Sequence, residues 1–188
     1  MEPARDMKGL RILPDATLDE APQLDVLHLP GGFGVDAMMA DRTVLRWVRR
    51  QAMGAQAVFT VCTGALLLGA TGLLRGRRAT THWASHHMLP LFGAIPVNER
   101  VVEDDKFVTA AGVTSGFDGA LHLAAKLRGE QVAQGIQLYM QYDPRPPFNA
   151  GSPETAPPEL VATTRAAMAA VLARREAAVR EVAAGLSG

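Results

Sequence analysis

A short apolar segment leads into the only cysteine of this chain, and a helical pattern begins directly after it. Val58, Phe59 and Val61 favour a β-strand that is buried on both faces. Cys62 follows at the carboxyl end of that strand, and the sequence behind it is rich in Ala and Leu, which favours a helix. Residues 57–74 therefore predict a strand, a sharp turn and a helix, with the cysteine at the turn.

A thiol at such a turn lies close to the free N–H groups of the helix that follows it. The partial positive charge of these groups favours thiolate over thiol, so we expect the pKa of Cys62 to lie below the ordinary value of about 8.5. A single cysteine is more often a small buried hydrophobic residue than a nucleophile. The strand-to-helix position favours a reactive thiol, and Gly64 leaves room where helix and strand come close.

Composition limits the classes of partner. The chain has 188 residues, of which 48% are hydrophobic, enough for one domain with a full core. Lys plus Arg and Asp plus Glu number 19 each, so the charge balance gives no reason to expect a nucleic acid or a membrane surface as partner. Small molecules and a second copy of the chain, as a homodimer, remain.

Cysteine content and hydropathy indicate the compartment. One cysteine cannot form an internal disulfide, and no N-terminal run has the pattern of a signal peptide. The longest apolar run, residues 65–68, is far shorter than the roughly 20 residues that span a bilayer. We therefore expect a cytoplasmic protein without a membrane segment.

A second predicted strand, residues 24–29, ends in Pro30 and the pair Gly31 and Gly32. Asp41 is placed to cap a helix over residues 41–53, which leads to the strand before the cysteine. This strand–helix–strand–helix order is typical of a parallel sheet covered on both faces, in which ligands bind at the carboxyl ends of the strands. The two glycines and the cysteine lie at such ends, so we expect them to converge on one ligand.

His82 ends a short predicted strand downstream of the cysteine. A histidine there can serve as the base for the thiol, but it is at least as often a structural hydrogen-bonding residue, and both interpretations stay open. His86 and His87 are adjacent, which on a helix points them roughly 100° apart. No carboxylate or cysteine follows at ligand spacing, so no metal site is predicted.

The remainder of the chain predicts a hairpin over residues 97–110, a helix capped by Thr114 or Ser115, and a helix over residues 131–142. A proline-rich crossing follows, and a long helix over residues 158–186 carries an apolar stripe that must pack on its own body or on a partner. The predicted division is an irregular lead-in (1–23), an α/β domain (24–142), and a crossing with its helix packed on the same domain (143–188).

Five motifs together resemble the DJ-1/PfpI superfamily, and more narrowly the bacterial isocyanide hydratases. They are Leu-Pro-Gly-Gly at residues 29–32, Val-Cys-Thr-Gly at 61–64, the basic turn and Thr-Thr-His-Trp at 76–83, Gly-Val-Thr-Ser-Gly at 112–116, and Pro-Phe-Asn-Ala-Gly-Ser-Pro at 147–153. The last motif is the narrowest and favours the hydratase group.

The resemblance implies a flavodoxin-like three-layer αβα sandwich with a mostly parallel sheet and a long C-terminal helix. It implies Cys62 as nucleophile with Thr63 beside it, and Gly31, Gly32 and His82 in the oxyanion and substrate pocket. The implied reaction is thiolate attack on an isocyanide carbon, a thioimidate intermediate, and release of an N-formamide by water. It implies no metal, no organic cofactor and a homodimer.

One part of the family pattern is not found in this sequence. The family begins with a further strand and helix of roughly 40 residues, whose loop supplies an acidic residue to the nucleophile. We therefore expect an N-terminally truncated version of the sheet, a site without that acid, and little or no hydration of a simple isocyanide by the 188-residue chain.

Two other functions fit the same motifs. One is an effector-binding domain like the amidase-like domain of AraC-type regulators, which binds a ligand without turning it over. Such regulators continue into paired helix-turn-helix motifs, whereas here the last predicted element is one long helix. The other is a DJ-1-like redox or stress protein whose cysteine is oxidised.

Overall fold

The computed structural model describes residues 2–6 and 9–186; Met1, Met7, Lys8, Ser187 and Gly188 lie outside the described residues. Helices and strands alternate through most of this range. The strands are β1 (Ala4–Arg5), β2 (Arg11–Ile12), β3 (Val26–Leu29), β4 (Ala57–Val61), β5 (Arg78–Ala79), β6 (Ile95–Pro96), β7 (Val101–Asp104) and β8 (Phe107–Ala110). The helices are α1 (Val35–Ala40), α2 (Arg42–Gly54), α3 (Gly64–Ala70), α4 (Ser115–Arg128), α5 (Glu130–Tyr139), α6 (Pro158–Ala167) and α7 (Ala169–Leu186), with a 3-10 helix over Trp83–Phe92.

The main sheet of the described chain has four strands in the order β3-β4-β8-β7. Strands β3, β4 and β8 run parallel, and β7 is antiparallel to β8. Helices cover both faces, since α4 packs on β4 and β8 while α3 packs on β3 and β4 from the other side. The predicted three-layer α/β architecture with a mostly parallel sheet is confirmed.

The central strand β4 shows why the sequence before the cysteine is continuously apolar. Val58 belongs to the core beneath α3, and the next residue, Phe59, belongs to the core beneath α4. Successive side chains of a strand point to opposite faces, so a strand covered on both sides needs apolar residues at every position. All of β4 up to Thr60 is buried.

Several local predictions can be compared with the structure. Asp41 caps α2 by accepting the N–H groups of Thr43 and Val44 at 2.7 and 3.3 Å, as predicted. The hairpin is present, but its first strand is only β7. Thr114 occupies the cap position of α4, which is one of the two predicted positions, but its side chain makes no cap hydrogen bond.

The long C-terminal helix is interrupted. It divides at Met168 into α6 and α7, which corrects the prediction of one continuous helix. Its apolar stripe packs on its own body, since Val179 is buried in the core and Leu172 and Val182 lie against that core. The stripe is therefore satisfied within one copy of the chain and gives no separate reason for a dimer.

The lead-in of residues 1–23 contains a short antiparallel pair, β1 with β2. The crossing before α6 has no regular secondary structure between Asp143 and Gly151 apart from bends. The three-part division of the chain stays a prediction. No helix in residues 2–6 and 9–186 combines the length and apolar character that a bilayer crossing requires.

Gly64 gives a test of the packing between β3 and α3. A Cβ at this position would lie 2.0 Å from the carbonyl oxygen of Leu29, so Gly64→Ala must push helix and strand apart. We expect the free energy of unfolding to fall by about 2 kcal/mol or more. Urea denaturation measures it.

The matched control is Gly135→Ala in the interior of α5, where a Cβ meets no atom within 4 Å. Alanine there should raise stability by about 0.5–1 kcal/mol through helix propensity. Equal effects of the two substitutions would contradict the close approach of α3 and β3.

Candidate active site

Cys62 lies between β4 and α3 in a conformation that ordinary side chains avoid. Its φ is 57°, in the left-handed region. Such a conformation costs of order 1–3 kcal/mol and persists only where the surroundings hold it. Here the Cys62 N–H donates to the carbonyl of Ala110 at 2.9 Å, and its own carbonyl accepts the Thr81 hydroxyl at 2.7 Å.

The first glycine of the pair after β3 makes room for this turn. A Cβ at Gly31 would lie 2.7 Å from both the Cys62 Cβ and the Thr63 backbone nitrogen. Any side chain at residue 31 would therefore displace the cysteine. Gly32 has a φ of 138°, which an L-residue rarely adopts. The turn after β3 and the turn after β4 meet at the carboxyl edge of the sheet, as the sequence predicts.

Thr63 connects the two loops and faces the sulfur. Its Oγ1 accepts the N–H of Gly32 at 3.0 Å. Its hydroxyl also lies 3.4 Å from the Gly32 carbonyl, to which it donates, and hydrogen bonding from Thr63 lowers the pKa of the Cys62 thiol. A hydrogen-bond donor beside a sulfur favours the thiolate, so Thr63 favours the charged form of Cys62.

The cysteine opens on a cavity of about 400 Å³ whose wall is mostly apolar. The wall contains all five residues predicted for the site. It is lined by Pro30, Gly31, Gly32, Phe33, Val61, Cys62, Thr63, His82, Ala84, Val113, Met168, Val171, Leu172 and Arg175. The structure thus brings the predicted residues together; the chemical role of each stays a prediction.

Burial changes the expected acidity of the thiol. It raises the pKa of Cys62 above the ordinary value, and the hydrogen bonds from Thr63 and the charge of Arg175 offset this only in part. The prediction of a lowered pKa is therefore wrong. Removal of water from the thiol disfavours the charged form more than the hydrogen bonds from Thr63 and the charge of Arg175 favour it.

His82 lies on the cavity wall and also caps the 3-10 helix. Its Nδ1 accepts the N–H of Ala84 at 3.3 Å. Because this hydrogen bond uses the lone pair of Nδ1, the proton of the neutral ring lies on Nε2. Burial, and then the charge of Arg175, lower the pKa of His82. The ring is therefore neutral near pH 7, and the structural interpretation accounts for its position.

The other two histidines singled out in the sequence have separate partners. His86 Nε2 lies 3.0 Å from the Val97 carbonyl, and His87 lies 3.5 Å from Glu176. In the described part of the chain, no three His, Cys, Asp or Glu side chains come together in a way that could hold a metal ion.

Sequence reasoning missed the contribution of the C-terminal helix. Met168, Val171, Leu172 and Arg175 form one wall of the cavity, although they lie more than 100 residues after the cysteine. The periodicity of the segment indicated a packed helix but not what it packs on. Arg175 could have been noticed in the sequence, because helical spacing from Leu172 and Val179 places this charged residue on the packed side of α7.

Among the described residues, no carboxylate lines the cavity. Asp36 reaches it only indirectly, by accepting the Arg175 Nε at 2.7 Å. The acid that the family resemblance places beside the nucleophile therefore has no counterpart in the described wall.

The raised pKa of Cys62 predicts how the thiol responds to pH. Alkylation by iodoacetamide should be slow near pH 7, because little thiolate is present, and its rate should still be rising above pH 8.5. Thr63→Val keeps the side-chain shape but removes the hydroxyl. It should therefore move the pH midpoint of the alkylation rate to a still higher pH. A midpoint below that of a free cysteine would contradict the dominance of burial.

Known proteins with similar sequences indicate the family of this chain. The profile of the DJ-1/PfpI family matches residues 1–126. The isonitrile hydratase of Pseudomonas putida is 47% identical over 185 residues, which make up 98% of this chain and 81% of that protein. The HTH-type transcriptional regulator GbdR of Pseudomonas aeruginosa is 30% identical over 137 residues, which make up 72% of this chain but 37% of the regulator.

A solved structure supports the same assignment. The crystal structure of a ThiJ/PfpI family protein from Pseudomonas syringae has a TM-score of 0.90 at 40% identity, covering 95% of this chain and 74% of that one. The expected superfamily is thus found by sequence and by fold. The chain belongs to the DJ-1/PfpI family.

Proposed function

We propose that this protein is an enzyme of the isocyanide hydratase type, with Cys62 as nucleophile. The observation that carries the proposal is the near-full-length similarity to an isonitrile hydratase, in a chain whose single cysteine stands on a left-handed turn. An apolar cavity of about 400 Å³ suits a small neutral substrate with an apolar substituent.

The proposed chemistry balances without a cofactor. The Cys62 thiolate attacks the terminal carbon of the isocyanide, a C–S bond forms, and one proton is taken up to give a thioimidate. Water then adds to the same carbon, the C–S bond breaks, one water proton passes to nitrogen, and the other is released in place of the proton taken up in the first step. The products are the N-formamide and the regenerated thiolate, so the net change is addition of one water.

The site supplies positioning and hydrogen bonds for these steps. Hydrogen bonding from Thr63 favours the thiolate, and the Gly31–Gly32 turn brings backbone close to the reacting carbon because residue 31 has no side chain. His82 contributes a neutral imidazole to the wall. No described carboxylate lines the cavity, so proton delivery depends on solvent, and we expect slow turnover.

The first test measures loss of an aryl isocyanide and formation of its N-formamide. We expect formation that depends on Cys62 and is abolished by Cys62→Ala. The rate should lie about 10²–10⁴-fold below that of the Pseudomonas putida relative, since a positioned acid–base group contributes that much. It should rise with pH toward the raised pKa of the thiol.

A chemical rescue separates a missing acid from a different function. Small acids such as acetic acid enter a cavity of this size, and they should raise the rate in proportion to their concentration. His122→Ala, on the exposed face of α4, is the control for folding and should behave like the unaltered protein. No formamide under any of these conditions would contradict the proposal.

A non-catalytic binding domain is the second candidate, and the raised thiol pKa together with a mostly apolar wall that carries no described carboxylate favours it. In that case an isocyanide or a similar apolar ligand binds equally well to the unaltered protein and to Cys62→Ala, without turnover. Calorimetric titration of both proteins distinguishes binding alone from catalysis.

We propose in addition that the protein acts as a homodimer on a small molecule, in the cytoplasm. The location rests on the sequence alone. The apolar stripe of α7 is used within the chain, but α5 exposes Leu138 and Tyr139, which are 82% and 92% accessible. Large apolar side chains exposed at the end of a helix in this way support association between copies.

Light scattering tests the homodimer. At micromolar concentration we expect twice the chain mass of 20.0 kDa. Leu138→Asp should give the single-chain mass, whereas Arg128→Asp, a charge change at the end of the neighbouring helix α4, should leave the dimer in place. A single-chain mass for the unaltered protein would contradict the dimer.

A further inference from the structure

Arg175 is a charged residue in a place where charged residues are rare. It lies on α7, is only 6% accessible, and forms part of the cavity wall. Burying a guanidinium is unfavourable unless its hydrogen bonds and charge are matched. The contacts of this side chain therefore indicate what it is for.

Each nitrogen of the guanidinium donates to a different element. Nε donates to Asp36 Oδ1 on α1 at 2.7 Å, Nη2 to the carbonyl of Gly32 at 3.4 Å, and Nη1 to the Ser85 hydroxyl at 3.5 Å. The planar fork of arginine suits such multiple contacts, which a lysine cannot reproduce. Arg175 thus connects α7, α1, the 3-10 helix and the Gly31–Gly32 turn at one point.

The charges around the thiol are few. The charged or titratable side chains that line the described cavity besides Cys62 are Arg175 from α7 and His82 at the start of the 3-10 helix. Asp36 from α1 meets Arg175 from outside the cavity wall. In an apolar cavity a fixed positive charge acts more strongly than in water, because little solvent screens it.

On the basis of the proposed function, we propose that Arg175 is a positioning residue of this active site: its guanidinium fixes the Gly31–Gly32 turn and α7 around Cys62 and presents a fixed positive charge to the reacting sulfur. Three of its five N–H groups donate to protein oxygens, which fixes the orientation of the guanidinium. No contact with the substrate is assigned to it. Asp36 holds the guanidinium in place, so the pair acts as one unit.

A positioned charge and a purely structural residue have different effects on the ionisation of the Cys62 thiol. A residue that only stabilises the fold changes the melting temperature and leaves the ionisation of Cys62 in the folded protein unchanged. A positioned charge changes that ionisation, and in opposite directions for the two members of the pair. Removing the Arg175 charge disfavours thiolate, whereas neutralising Asp36 leaves the positive charge unopposed and favours it.

The experiment measures the pH midpoint of Cys62 alkylation in the full chain, together with kcat and KM for isocyanide hydration. We expect Arg175→Gln to raise the midpoint by roughly one pH unit and to lower kcat/KM roughly 10- to 100-fold. Arg175→Lys should bring the midpoint most of the way back to that of the unaltered protein, because it keeps the positive charge. It should recover little of kcat/KM, because lysine lacks the planar guanidinium. Asp36→Asn, which can still accept from Nε, should lower the midpoint.

The matched control is Arg174→Gln, the exposed neighbour on the same helix, which should change neither quantity. Because Arg175→Gln leaves the Asp36 carboxylate without its partner, the double variant Asp36→Asn/Arg175→Gln tests the same charge if the single variant does not fold. It should also raise the midpoint.

Unchanged midpoints in the folded Arg175→Gln and Asp36→Asn proteins, with lowered melting temperatures, would overturn the proposal and leave Arg175 a structural residue. Shifted midpoints with hydration by the unaltered protein support it in full. Shifted midpoints without hydration by the unaltered protein support the action of Arg175 on the thiol and overturn the proposed reaction alone.

Discussion

The left-handed turn at Cys62 is the constraint on which the remaining structure depends. It exists because three neighbouring backbone segments hold it: Ala110 accepts its N–H, Thr81 donates to its carbonyl, and Gly31 leaves the space that its Cβ occupies. Each of these comes from a different part of the parallel sheet and its connections. The position of β4 between β3 and β8 therefore stabilises a backbone conformation at Cys62 that is unfavourable by itself.

Much of this arrangement could be predicted because its signals are local. An apolar strand followed at once by a cysteine and a helix indicates the turn, and two strand ends at one sheet edge indicate that Gly31, Gly32, Cys62 and Thr63 converge. The cap at Asp41 follows from residue type and position. These predictions need only the periods of helix and strand and the rule that strand ends carry ligands.

The features that sequence reasoning missed depend on contacts between distant segments. Nothing near Arg175 in the sequence indicates that its partners are Asp36, Ser85 and the Gly32 carbonyl. The acidity of Cys62 was predicted in the wrong direction for the same reason, since the local helix start is visible in sequence whereas the burial that outweighs it comes from walls assembled across the fold.

The wall formed by α7 gives the site an order of assembly. Every other described element that lines the cavity precedes α7 in the chain, so on the ribosome β3, β4 and the turn at Cys62 emerge well before Met168, Leu172 and Arg175. Without those residues the cavity lacks one wall, and part of the burial that raises the pKa of the Cys62 thiol is lost. Closure of the cavity around the sulfur therefore waits for α7, after the other lining elements have emerged.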